Sequence, residues 1–104
     1  MREASIEQGL RIRLQKLGCL FYKWVSPGNN GVPDRIVITP DGSVIFVELK
    51  TARGNLSPDQ RVQIRRLSKN HARVVVIYGK QDADNFVREI EYWEGKHENR
   101  RRRD

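Results

Sequence analysis

The run from Arg35 to Lys50, Arg-Ile-Val-Ile-Thr-Pro-Asp-Gly-Ser-Val-Ile-Phe-Val-Glu-Leu-Lys, constrains the fold more than any other part of the chain. Two β-branched apolar segments, Arg35 to Thr39 and Val44 to Lys50, flank Pro40-Asp41-Gly42 and predict an antiparallel hairpin. A three-residue loop calls for a type I turn followed by a residue at positive φ, and Pro-Asp-Gly meets those requirements in order. Thr39 then pairs with Ser43, and five steps back along each strand Asp34 faces Glu48. A two-residue Asp41-Gly42 turn would oppose Asp34 to Leu49 and split the carboxylates between faces. The residue order favours the first register, in which Lys50 shares the face of Glu48.

The remaining elements follow from periodicity. Ile6, Leu10, Leu14 and Leu17 recur at helical spacing between Glu3 and Leu17, and Gly18 supplies a stop. Leu20 to Val25 reads as a strand, and Ser26-Pro27-Gly28-Asn29-Asn30-Gly31 as a loop. Ser57-Pro58-Asp59-Gln60 is a helix start in which Ser57 caps and Gln60 stands three residues on; that helix runs to about Lys69 with Ile64 and Leu67 inward. Arg73 to Tyr78 contains the apolar run Val74-Val75-Val76-Ile77 and is expected as a strand buried on both faces. A last helix is expected from near Asp82, burying Phe86, Val87, Ile90 and Trp93. The order α-β-β-β-α-β-α gives an α/β fold. Its mixed four-stranded sheet is flanked by helices, with an antiparallel meander followed by a parallel crossover.

With 104 residues the chain has room for one domain, expected over 1–95, with 96–104 as a basic, disordered tail. So small a core makes pairing with a second copy a natural source of stability. The lone Cys19 excludes an internal disulfide and a cysteine zinc cage, and its setting in Cys19-Leu20-Phe21 predicts a buried structural thiol. No segment resembles a signal peptide or reaches the length of a membrane span, so a soluble protein of a reducing compartment is expected. The formal charge is +7. Lys96 and Arg100 to Arg103, opposed by Glu98 and Asp104, put +3 of it in the tail and leave +4 in the body. That excess suits a polyanionic partner.

Two facing carboxylates repel unless something neutralises them. Ile36, Ile38, Val44 and Phe46 share their face, which limits water around Glu48. A divalent cation resolves the conflict, and a small set of hard oxygen ligands suits Mg2+ or Mn2+ better than zinc. Lys50 would stand beside it, able to stabilise a pentacovalent phosphorane or steer an attacking water. Glu-x-Lys on a strand is ordinarily a surface ion pair, and Pro-Asp ordinarily a turn. Their joint placement at one end of a hairpin, after a glycine-rich loop and in a basic chain, points to phosphodiester hydrolysis.

Gly31-Val32-Pro33-Asp34-Arg35 followed by Val47-Glu48-Leu49-Lys50 resembles the signature of the PD-(D/E)XK nucleases, with their restriction-endonuclease-like αβββαβ core. Leu56-Ser57-Pro58-Asp59-Gln60 narrows the resemblance to the virus-type replication-repair nucleases (VRR-NUC) of the stand-alone phage and bacterial kind, over Glu7 to about Tyr78. The resemblance implies Asp34 and Glu48 as metal ligands, the Leu49 carbonyl as a third oxygen and Lys50 as the catalytic lysine. It implies that Glu7 completes the carboxylate cluster directly or through water; an i,i+4 partner for Arg11 is the equal alternative. It places Gln60 near the metal-bound water, a role compatible with capping. It further implies a homodimer acting on branched DNA such as four-way junctions, in the cytoplasm of a bacterial or phage-infected cell.

Lys23, Arg53, Arg65, Arg66, Lys69 and Arg73 are candidate phosphate contacts as a group. Residues 26–31 could approach a DNA backbone or serve as a passive connection. His71 is expected to help end a helix, His97 has no metal-site spacing, and Trp24 and Trp93 suit the core or a dimer interface. Three alternatives remain open: a sequence-specific restriction-type nuclease, a non-catalytic nucleic-acid-binding module and a protein-interaction subunit. The clustered carboxylates weigh against both non-catalytic readings, since phosphate binding gains nothing from them.

Overall fold

A computed structural model of the chain describes residues 1–95 in full and residues 96–103 as backbone only, where helix continues through most of the segment expected as a disordered tail; the side chains of 96–103, and residue 104, lie outside the described residues. The elements are α1 (Glu3–Lys16), β1 (Leu20–Lys23), β2 (Arg35–Ile38), β3 (Val44–Lys50), α2 (Pro58–Lys69), β4 (Arg73–Tyr78) and α3 (Gly79–Arg103). The sheet order is β1-β2-β3-β4, antiparallel across the first two pairings and parallel between β3 and β4. This is the mixed sheet expected from the sequence. Among the described residues no helix is long and apolar enough to cross a membrane.

The hairpin register is the one that Pro40-Asp41-Gly42 predicts. Arg35 pairs with Val47 and Ile38 with Val44, so Asp34 and Glu48 are the next positions opposite one another. The Thr39 amide donates to the Ser43 carbonyl at 3.0 Å, Gly42 N–H closes the turn onto Thr39 O at 2.9 Å, and Gly42 takes φ 88°. Asp41 adds side-chain bonds to Thr39 Oγ1 and to the Ser43 amide.

One sheet face carries the core. Val37, Ile45, Val47, Leu49 and Ile77 pack there with Ile6, Leu10 and Leu14 of α1 and with Ala83, Phe86, Val87 and Ile90 of α3. Cys19 is buried in the same cluster as expected, and burial, reinforced by the charges of Glu94 and Asp41, pushes its thiol up to about 11. The opposite face is thinly covered. α2 packs mainly on β4 and buries none of its residues fully, so Ile64 and Leu67 reach only half burial.

Four expectations need correction. β4 is an edge strand with a part-open face, and only Ile77 is fully buried. α3 begins at Gly79 rather than near Asp82, whose carboxylate instead accepts the Tyr78 N–H at 2.9 Å. Trp93 is 46% exposed, because its indole N–H reaches out to Asp41 Oδ2 at 3.2 Å and ties α3 to the hairpin. β1 stops at Lys23, although Trp24 N–H still donates to Asp34 O at 2.8 Å.

Candidate active site

Asp34 stands at the entry of β2, just after Pro33, which is fully buried. Glu48 occupies the fifth position of β3, on the face opposite the core residues Val47 and Leu49. Side-chain alternation therefore sends an ionisable group into the space between the sheet and the start of α2. Its carboxylate is 2% exposed. Oε2 accepts a hydrogen bond from Gln60 Nε2 at 3.2 Å and lies 3.8 Å from Lys50 Nζ. Oε1 is buried with no hydrogen-bond partner.

Burial, and then the negative charge of Asp34, push Glu48 up from 4.5 to about 7. Lys50 and the backbone amide of Asp34 offset this only in part, and Glu3 adds to it. That amide lies near enough to attract the carboxylate, though it makes no hydrogen bond to Oε1. A lysine contact at 3.8 Å from a part-exposed ammonium is weaker than the loss of hydration at a carboxylate sealed from water.

Glu7 reaches the neighbourhood of Asp34 from α1. With Glu3, Ala4, Asp34, Arg35 and Leu49 it lines a hollow of about 380 Å³. Its Oε1 accepts from Arg11 at 2.6 Å and from Arg35 Nε at 3.3 Å, while Arg35 also donates to the Asp34 carbonyl at 3.1 Å. Burial pushes Glu7 up, but the bonds and charges of Arg11 and Arg35 outweigh it and hold its carboxyl below the ordinary range. Both readings of Glu7 thus have a footing: it is the i,i+4 partner of Arg11, and it shares a hollow with Asp34. Arg35, absent from the candidates read in the sequence, joins the two. Its position immediately after Asp34 is the only signal the sequence offers.

Among the described residues no three carboxylate, imidazole or thiolate side chains converge tightly enough to hold a metal by themselves. The donors present still suit a hard cation. An orphaned, buried carboxylate oxygen, a second carboxylate opposite it and a backbone position at Leu49 make an oxygen-only set, and Mg2+ characteristically takes one or two carboxylates and completes its shell with water and phosphate.

The glycine-rich loop has a structural task that the sequence did not reveal. Gly31 adopts φ 89°, and a Cβ there would lie 2.4 Å from the Asp59 carbonyl carbon and 2.7 Å from the Gln60 nitrogen. The loop bearing Asp34 therefore rests directly on the first turn of α2. Ser57 and Gln60 form the full capping box expected, with Gln60 N–H donating to Ser57 Oγ at 3.2 Å and Ser57 N–H to Gln60 Oε1 at 2.8 Å.

The basic candidates scatter. Arg65, Arg66 and Lys69 lie together along exposed α2 and flank a groove with Val62 and Ile64. Lys23 shares the sheet face of Phe21, away from α2. Arg53 sits by Met1, Ile6 and Lys80, and Arg73 is held in an ion pair with Glu89. Trp24 stacks at a tilt on Phe46, ring centroids 4.8 Å apart, on the face of Glu48.

Comparison with known proteins adds an independent line. The profile of the VRR-NUC domain matches residues 23–81, which span the Asp34 loop, the hairpin, α2 and β4. The chain belongs to the VRR-NUC family. It is 43% identical over 88 residues to "Putative nuclease p44" of Acyrthosiphon pisum secondary endosymbiont phage 1, covering 84% of this chain and 92% of that protein. A solved structure described as a VRR_NUC domain superposes with a TM-score of 0.78 at 30% identity, over 83% of this chain and 94% of the other. The VRR-NUC match thus takes in Asp34, Glu48, Lys50 and Gln60 together, whereas Glu7 lies outside it.

Proposed function

We propose that this VRR-NUC protein is a metal-dependent DNA endonuclease that hydrolyses phosphodiester bonds, with branched DNA such as four-way junctions as its substrate. The observation that carries the reading is the Asp34–Glu48 pair across the hairpin, with a buried Glu48 oxygen lacking any partner and the Lys50 ammonium 3.8 Å from its other oxygen. The printed names of a phage relative, "Putative nuclease p44", and of the matching VRR_NUC domain structure support the nuclease part of the reading.

Asp34, Glu48 and the Leu49 carbonyl would hold Mg2+ or Mn2+, and Glu7 would approach from the shared hollow directly or through water. When bound, the cation polarises the scissile phosphate and lowers the pKa of a water. Lys50 supplies a positive charge fixed beside Glu48, placed to offset charge developing on phosphorus or to hold the attacking water. Gln60 anchors Glu48 Oε2 so that the carboxylate keeps one orientation. Arg65, Arg66 and Lys69 would contact phosphates from α2, and Lys23, Arg53 and Arg73 would extend the basic surface elsewhere.

A homodimer completes the proposal, because paired cuts across a symmetrical junction need two sites. Supporting it, the face of β1 to β3 that α2 leaves open exposes Leu20, Tyr22 and Val44, with Tyr22 54% exposed.

The test is incubation of the purified protein with a labelled four-way junction and a matching linear duplex, in Mg2+, Mn2+ or EDTA. Metal-dependent, paired, symmetrical cuts confined to the junction are expected. Random nicking of the duplex would remove the junction preference, a unique cut in one duplex sequence would favour a restriction-type enzyme, and binding without cleavage would leave a non-catalytic module. Asp34→Ala and Glu48→Ala should each abolish cleavage while DNA binding persists. Lys50→Ala should lower turnover more than metal affinity, and full activity in the Asp34 or Glu48 variant contradicts the site.

A further inference from the structure

A primary amide is nearly symmetrical in shape, so its neighbours decide which end faces which way. At Gln60 both neighbours agree. Ser57 N–H can only donate, and it takes Gln60 Oε1 at 2.8 Å. Nε2 is thereby turned toward Glu48 and donates to Oε2 at 3.2 Å. The reversed amide would set a donor against the Ser57 N–H and a carbonyl oxygen against the carboxylate. Ser57 Oγ then fixes the backbone from which the side chain springs, by accepting the Gln60 N–H at 3.2 Å. The loop carrying Asp34 rests on that same nitrogen at Gly31. A relay therefore runs inward from exposed Ser57 through half-buried Gln60 to fully buried Glu48, and of the two Glu48 oxygens it leaves Oε1 without a partner.

We propose that Ser57 is a positioning residue of the active site, whose capping box locks the Gln60 amide as a donor to Glu48 and so presents Glu48 Oε1 to the cation. The proposal rests on the reading of Glu48 as a metal ligand. It gives the helix cap a second task. Loss of the Ser57 Oγ bond to the Gln60 N–H loosens the N-cap backbone whose own N–H holds Gln60 Oε1, so the amide anchors the Glu48 carboxylate less firmly. Partners that orient a ligand in this way commonly influence affinity and rate together.

The test combines Mn2+ titration calorimetry with cleavage kinetics on wild type, S57A, S57T, Q60A and the S57A/Q60A double variant. Q60A should weaken Mn2+ binding by about tenfold or more, and S57A by on the order of threefold, with kcat falling and the KM for DNA unchanged. S57T, which keeps an acceptor oxygen, should restore both quantities. The double variant should match Q60A alone, because the cap acts through the glutamine. S57G, the milder N-cap change, provides the same comparison if S57A unfolds. A variant that melts earlier yet binds Mn2+ and turns over like wild type overturns the proposal, as does an S57A loss of equal size with and without Gln60. Wild type that binds Mn2+ but cuts no DNA defeats the nuclease reading alone, and calorimetry still decides the role of Ser57. Wild type that binds no Mn2+ removes the ligand reading and the proposal with it.

Discussion

Glu48 has a carboxyl pushed up to about 7 against 4.5 in an ordinary setting, so the folded, metal-free protein binds a proton that the unfolded chain has already lost between those values. The Glu48 contribution to stability without metal should accordingly be undiminished below about 4.5 and should fall as pH rises through 7, by up to about 3 kcal/mol on linkage arithmetic. Urea unfolding in EDTA at pH 5 and pH 8 measures this. Glu48→Gln should flatten the profile and raise stability at pH 8 by roughly 1–3 kcal/mol while abolishing cleavage. Divalent ions should reverse the trend for wild type, since only the carboxylate binds them. A second residue-scale expectation concerns His71. It ends α2 at φ 65°, with His71 N–H on Ser68 O and Ala72 N–H on Leu67 O, each at 3.0 Å. That is the helix-ending role read from the sequence, carried by its backbone in a position glycine prefers, and His71→Gly should stabilise the fold by about 1 kcal/mol in thermal or urea melts.

At the scale of elements, the hairpin was legible and the loop before it was not. Turn chemistry fixed the register through three local residues, Pro40, Asp41 and Gly42, and register alone set Asp34 opposite Glu48. The capping box of α2 was legible for the same reason, because all its partners lie within one turn. Gly31 carries a long-range constraint, the backbone of Asp59 and Gln60, and a glycine in a polar loop gives no hint of what will approach it. Gly31→Ala should cost about 2 kcal/mol or more, since it adds a clash to an unfavourable φ, and should reduce cleavage by pushing α2 from the Asp34 loop. Retained stability and activity in that variant would contradict the coupling. The burial of β4 was overestimated because its apolar run is that of an inner strand, whereas sheet order makes it an edge. Which strand ends a sheet depends on pairings between distant segments, and composition does not encode them.

The whole molecule is a one-sided core with its chemistry on the other side. α1 and α3 seal one sheet face, while α2 covers the opposite face only near β4 and leaves apolar side chains open on β1 to β3. Light scattering should therefore give a dimer mass, and Tyr22→Glu, placed on the open face, should shift it to a monomer without unfolding the chain. A monomeric wild type at micromolar concentration would contradict the dimer. Family membership and sheet topology were both legible from three short motifs and their order, whereas the spread of basic residues was not. Charges at Lys23, Arg53 and Arg65 fall on separate surfaces because nothing in their local sequence fixes which way the finished fold turns them.

The most direct measurement is the cleavage time course of a labelled four-way junction by wild type and by Glu48→Gln, in Mg2+ at pH 8 and with an EDTA control. Paired products from wild type, and none from the variant or in EDTA, are the predicted result. Equal cleavage by Glu48→Gln, or cleavage that survives EDTA, would contradict a metal centre built on Asp34 and Glu48.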